Sequence, residues 1–152
     1  MATPTIHVAA TAPINPPGAD PVLNEAQVWD GLQRKVRRAD EFVPLISSCV
    51  VVEESANVVK RKVVFTAGEA VTEVCTEYAP SRVHFRMDTG TEVQNIISRD
   101  VKNGTLFMTY AFSWVGCGED MREKKQEEAS IAVTKSIEAM RAMVLDGRIR
   151  AA

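Results

Sequence analysis

At 152 residues, with 45% apolar and 25% charged residues, the chain has the size and balance of one globular domain, and residues 1–152 are read as a single unit. A formal net charge of -2 leaves no global field to attract nucleic acid, and no apolar run approaches the ~20 residues of a membrane helix. The start, MATPTIHVAA, lacks the basic and long apolar regions of a secretory signal, and Cys49, Cys75 and Cys117 are too few and too scattered for a disulfide framework, so a reduced, cytoplasmic protein is expected. A first strand is predicted over residues 5–15. PPGADP (Pro16 to Pro21) then breaks regular structure. Asn24 caps a helix, and Gln27 completes the capping box. Val28, Trp29, Leu32 and Val36 form that helix's apolar stripe, while Arg34, Lys35, Arg37 and Arg38 read as a solvated face, with a phosphate or acidic-partner site as the lesser reading. DEFVPLI is a second short helix or turn, interrupted by Pro44.

Strands follow at roughly 47–54, 57–65, 71–78, 82–88, 91–98 and 105–114, with connections short enough to make neighbours antiparallel. The chain ends in a long helix over about 119–146, with a stripe of Ala129, Ala132, Val133, Ser136, Ile137, Met140, Met143 and Val144. This order predicts an α+β fold, with helices on one face of a curved antiparallel sheet.

The stretch VVKRKVVF, Val58 to Phe65, poses the functional question. Strand alternation puts Arg61 on one face with Val59, Val63 and Phe65, so a permanent charge stands among apolar side chains. Pairing Phe65 with Val71 around Gly68 would bring Glu73 to that face, diagonal to Arg61. A three-residue loop at 89–91 would set Phe85 opposite Asn95. In TLFMTYAFSW, the inward set is Leu106, Met108, Tyr110, Phe112 and Trp114. Four polar groups, Arg61, Glu73, Asn95 and Tyr110, would therefore look into a lining of Val63, Phe65, Phe85, Met87, Val93, Ile97, Met108 and Phe112. Trp29 and Met140 would join this lining from the helices, although both, like Trp114 and Met143, also suit a plain core role. Small residues on the last helix (Ala129, Ala132, Ser136) leave room for a cavity. An apolar hollow with a few convergent polar groups is the usual form of a small-molecule site.

The segments QVWDGLQRKVRRADEFVPLISSCVVVEE, VVKRKVVF, VTEV, YAPSRVHFRM, DTGTEVQNIIS and LFMTYAFSW resemble the AtaL-like domain family of the START-like (SRPBCC, polyketide cyclase) superfamily, over about residues 5 to 147. The resemblance implies a helix-grip fold, a curved antiparallel sheet wrapped around the long C-terminal helix with a deep internal cavity between them. It also implies a setting in secondary-metabolite biosynthesis, often fungal, and recurring polar positions at Arg61, Glu73, Asn95 and Tyr110. PPGADP is longer than the family's usual loop.

Two functions follow. In the first, the cavity folds a polyketide-like substrate and promotes a cofactor-independent cyclisation, rearrangement or elimination. Arg61, Tyr110 and Asn95 would polarise a carbonyl, and Glu73 would either hold Arg61 or act as base. In the second, the protein is a non-catalytic carrier or sensor of a lipid or hydrophobic metabolite, and Arg61 with Glu73 is a structural pair. A monomer or homodimer is expected. His7 and His84 have no partners at metal-ligand spacing, the cysteines have no CxxC or His partner, and SWVGCGED lacks the Lys of a phosphate loop, so neither metal nor cofactor is expected.

Overall fold

The computed structural model describes residues 3–152. Seven strands are present among these residues: β1 (Thr5–Pro13), β2 (Ile46–Ser55), β3 (Val58–Phe65), β4 (Ala70–Tyr78), β5 (Arg82–Met87), β6 (Glu92–Arg99) and β7 (Leu106–Val115). They form one antiparallel sheet in the order β1-β7-β6-β5-β4-β3-β2. Helix α1 (Glu25–Arg37) and a short 3-10 turn (Ala39–Glu41) lead into β2, and the long helix α2 (Arg122–Asp146) packs across β1 and β7. The α+β helix-grip layout read from the sequence is the observed one.

Local chemistry accounts for the helix ends. Asn24 Oδ1 accepts from the Gln27 amide at 2.8 Å, and Gln27 Oε1 accepts from the Asn24 amide at 2.9 Å, so the capping box is closed. Asn24→Ala is expected to destabilise the fold by about 1 kcal/mol, read from denaturant midpoints at unchanged slope. Gly147, at φ 85, ends α2 in the left-handed conformation, and the Ile149 amide returns to the Met143 carbonyl. α1 and α2 touch closely at Gly31, where a Cβ would stand 2.7 Å from Met140 Cγ.

Two registers differ from those read in the sequence. Val63, not Phe65, pairs with Val71, which sets Arg61 directly opposite Glu73 instead of diagonal to it. The turn is centred one residue earlier than expected, because the Phe65 amide bonds to the Glu69 carbonyl and leaves Thr66–Gly68 to close the loop. Phe85 pairs with Val93, and Asn95 stands opposite Val83. This loop too keeps three residues but closes one residue earlier, over 88–90, with the Met87 amide bonding to the Thr91 carbonyl and Gly90 at φ 94. Each shift moves the register by two residues, so every side chain keeps its expected face.

Candidate functional site

The inner face of the sheet carries the predicted polar residues, all buried: Arg61, Glu73, Asn95 and Tyr110. Arg61 and Glu73 are cross-strand partners, and Arg61 Nη2 donates to Glu73 Oε1 at 3.1 Å. Arg61 Nη1 donates to the carbonyls of Lys35 and Val36, each at 2.9 Å. These carbonyls belong to the last turn of α1, where unpaired oxygens and the negative end of the helix dipole favour a cation. The guanidinium also lies 5.0 Å from the Phe85 ring centroid. This answers the question posed by VVKRKVVF: the charge on the apolar face is the cap of a helix packed over it. Only Nε lacks a partner.

Asn95 and Tyr110 are also cross-strand partners, on β6 and β7. What joins them is Lys35, whose Nζ donates to Asn95 Oδ1 and to the Tyr110 hydroxyl, both at 3.0 Å. The same nitrogen lies 4.2 Å from the Tyr110 ring centroid. Lys35 is only 8% exposed, so the solvated-face reading of RKVRR fails at its second residue. The sequence does hold a signal for this. Lys35 comes seven residues after Val28 and three after Leu32, which places it on the buried stripe of α1. The surrounding arginines are ion-paired: Arg34 with Glu41, Arg37 with Glu77 and Glu54, and Arg38 with Asp40. A surface cleft of about 370 Å³ lies among Arg34, Arg37, Arg38 and Arg148.

The electrostatics of the buried cluster follow from its dryness. Burial, reinforced by the Arg61 charge, holds the Lys35 ammonium down at about 7. Burial pushes the Tyr110 hydroxyl well above its ordinary range. Burial pushes the Cys75 thiol up to about 12, which keeps it protonated and unreactive. Near neutral pH, Lys35 therefore has a substantial neutral fraction. A neutral amine that gives its two N–H groups to Asn95 and Tyr110 keeps its lone pair for other work. The Asn95 Nδ2 group is buried without a partner.

The predicted lining is present around this cluster. Val63, Phe85, Val93, Ile97, Met108 and Met140 are buried, and Trp29, Met87 and Phe112 are half-buried against the core; Phe65 packs beside Val63 at its edge. Trp114 stacks on Phe112 at 5.3 Å and lies under Lys125. The sequence reading predicts an open hollow beside Arg61. In this structure Lys35, Phe85 and the end of α1 occupy that space, because a helix whose C-terminus needs a cation is drawn onto Arg61. The second prominent cleft, about 350 Å³, lies among His7, Gln94, Ser113 and Gln126, remote from Arg61. His84 is half-exposed beside Glu92, and no group of three metal-ligating side chains occurs among the described residues.

The family model described as acetylaranotin biosynthesis cluster protein L matches residues 8–147. The chain belongs to the AtaL family. Its fold is that of several solved structures. One is the di-domain aromatase/cyclase StfQ of the steffimycin pathway, with TM-score 0.70, 11% identity, and coverage of 95% of this chain and 52% of that one. Another is the Zhui aromatase/cyclase from Streptomyces sp. R1128, with TM-score 0.63, 16% identity and 97% of both chains covered. TTHA0849 from Thermus thermophilus aligns with TM-score 0.61 at 15% identity, covering 95% of this chain and 99% of that one. This AtaL-family chain spans about half the length of StfQ. At these identities the likeness is one of fold. No curated protein matches the chain in sequence. No helix among the described residues is long and apolar enough to cross a membrane.

Proposed function

We propose that this AtaL-family protein binds a largely apolar, polyketide-like intermediate between the sheet and its helices and promotes its cyclisation with the chain's own side chains. The observation that carries this reading is the Lys35–Asn95–Tyr110 cluster, sealed in an apolar core. A core selected for stability alone is better served by apolar residues at such positions. A perturbed amine beside an unpartnered amide donor is the kind of arrangement that active sites retain. Membership of a family described by a biosynthetic cluster, and a fold shared with aromatase/cyclases, point the same way.

In this reading the roles divide. Arg61 and Glu73 hold the end of α1 and so position Lys35. Lys35 is the group that meets the substrate, Asn95 Nδ2 donates to a carbonyl oxygen, and Tyr110 holds the amine. The free thiols of Cys49, Cys75 and Cys117 suit a reducing compartment.

Purified protein incubated with a linear poly-β-keto thioester surrogate should yield cyclised product by liquid chromatography and mass spectrometry. Lys35→Met should lower the rate about 100-fold or more while the protein stays folded. Tight ligand binding without turnover, seen by native mass spectrometry, would instead make the protein a carrier.

A further inference from the structure

We propose that Lys35 is a reactive amine that forms an imine with one carbonyl of a 1,3-dicarbonyl ligand, while the second carbonyl accepts a hydrogen bond from Asn95 Nδ2. This deepens the cyclisation reading and rests on it.

Three observations lead to this assignment. First, the amine is anchored at a fixed point, with 3.0 Å bonds to acceptors on two neighbouring strands. Its own backbone is pinned from below by Arg61. Second, the Asn95 amide uses its oxygen on Lys35 and leaves its nitrogen, fully buried, without an acceptor. An unpaired buried donor is costly, and a ligand oxygen would satisfy it. Third, donor and amine belong to one hydrogen-bonded pair, so a molecule that engages both needs two carbonyl groups close together, as in a 1,3-dicarbonyl. The groups facing Lys35 are Arg61 from β3, Glu73 and Cys75 from β4, and Tyr110 from β7. The cation at Arg61 opposes protonation of the amine, which keeps it nucleophilic.

The chemistry closes without a further reactant. The Nζ lone pair attacks the carbonyl carbon, and the C=O electron pair moves to oxygen, which takes up the proton lost by nitrogen. Tyr110, 3.0 Å from Nζ, can pass that proton on. Water then leaves and a C=N bond remains. For a 1,3-dicarbonyl the imine settles as the enaminone, with a proton shifted from the central carbon to nitrogen. That carbon is then the nucleophile for ring closure on another carbonyl, and water hydrolyses the C–N bond to release the product. The space such a ligand takes is now filled by core side chains, among which Met108, Met140, Met143 and half-buried Met87 are the readily deformed members.

The test uses 2,4-pentanedione as probe on the intact protein near neutral pH. The expected result is one adduct of diketone minus water, with near-ultraviolet enaminone absorbance, mapped by tandem mass spectrometry to Lys35. It should form on the order of 100-fold faster than at exposed Lys60 and Lys62. Lys35→Arg should abolish it, and Asn95→Leu should slow it. Labelling spread evenly over surface lysines, or an unmodified Lys35, overturns the proposal. So does a folded Lys35→Arg variant that cyclises the thioester at the parent rate, an outcome that leaves the cyclisation reading intact. An adduct on Lys35 with no thioester turnover by the parent protein supports the reactive amine and defeats the cyclase reading instead.

Discussion

Arg61→Ala is expected to cost about 3–5 kcal/mol of stability, among the largest losses available from a single change in this chain. The variant strands the Glu73 carboxylate in a buried setting and leaves the Lys35 and Val36 carbonyls of α1 without their donor. Chemical denaturation at neutral pH reads the loss directly. Replacing both partners, as Arg61→Met with Glu73→Leu, should recover much of it, because two apolar side chains leave no unpaired charge. The recovered fold would still lack the donor that fixes the end of α1. Catalysis should therefore stay low in the double variant even as stability returns, which separates the positioning role from a purely structural one. A loss below about 1 kcal/mol for Arg61→Ala would mean that the pair and the cap contribute little, as surface pairs do.

The second expectation concerns Lys35 and has the opposite sign. The unfolded chain holds the Lys35 proton up to about 10.5, whereas the folded protein releases it near 7. Between these values the unfolded state binds more protons, so this group makes stability rise with pH. Below about pH 7 the folded state carries the full penalty of burying the ammonium, on the order of 5 kcal/mol at ~1.4 kcal/mol per pKa unit. Lys35→Met removes that penalty and forfeits the two hydrogen bonds, leaving Asn95 Oδ1 unpartnered at about 1–3 kcal/mol. The variant should thus be more stable than the parent by a few kcal/mol near pH 6. Its advantage should fade as pH rises toward 10, while activity is lost throughout. Thermal midpoints across that range decide the matter: a variant that is less stable at every pH would show that the amine is not held near neutrality. A residue that lowers stability is one expected where function and stability compete.

How much of this is legible in the chain follows from what each signal depends on. The faces of β3 to β7 rest on a period of two, which survives a register shift of two residues. Arg61, Glu73, Asn95 and Tyr110 accordingly fall on the inner face in sequence and structure alike, even though two pairings differ. The capping box at Asn24 is readable because its partners lie three residues apart in the chain. Lys35 escapes the sequence reading because its helical neighbours are charged, and local composition outweighs its position seven residues after Val28.

The alternating apolar pattern, the short turns and the buried stripe of the long final helix determined the fold, and with it the presence of a charge on the inner face of β3. Tertiary packing alone decided what that charge does. The last turn of α1 is brought onto Arg61 by the docking of Val28, Leu32 and Val36 into the core. That docking spends the guanidinium on helix carbonyls and swings the neighbouring lysine onto Asn95 and Tyr110, 60 and 75 residues away in sequence. Hydrogen bonds of such span leave no periodic trace in the chain, since nothing local depends on them.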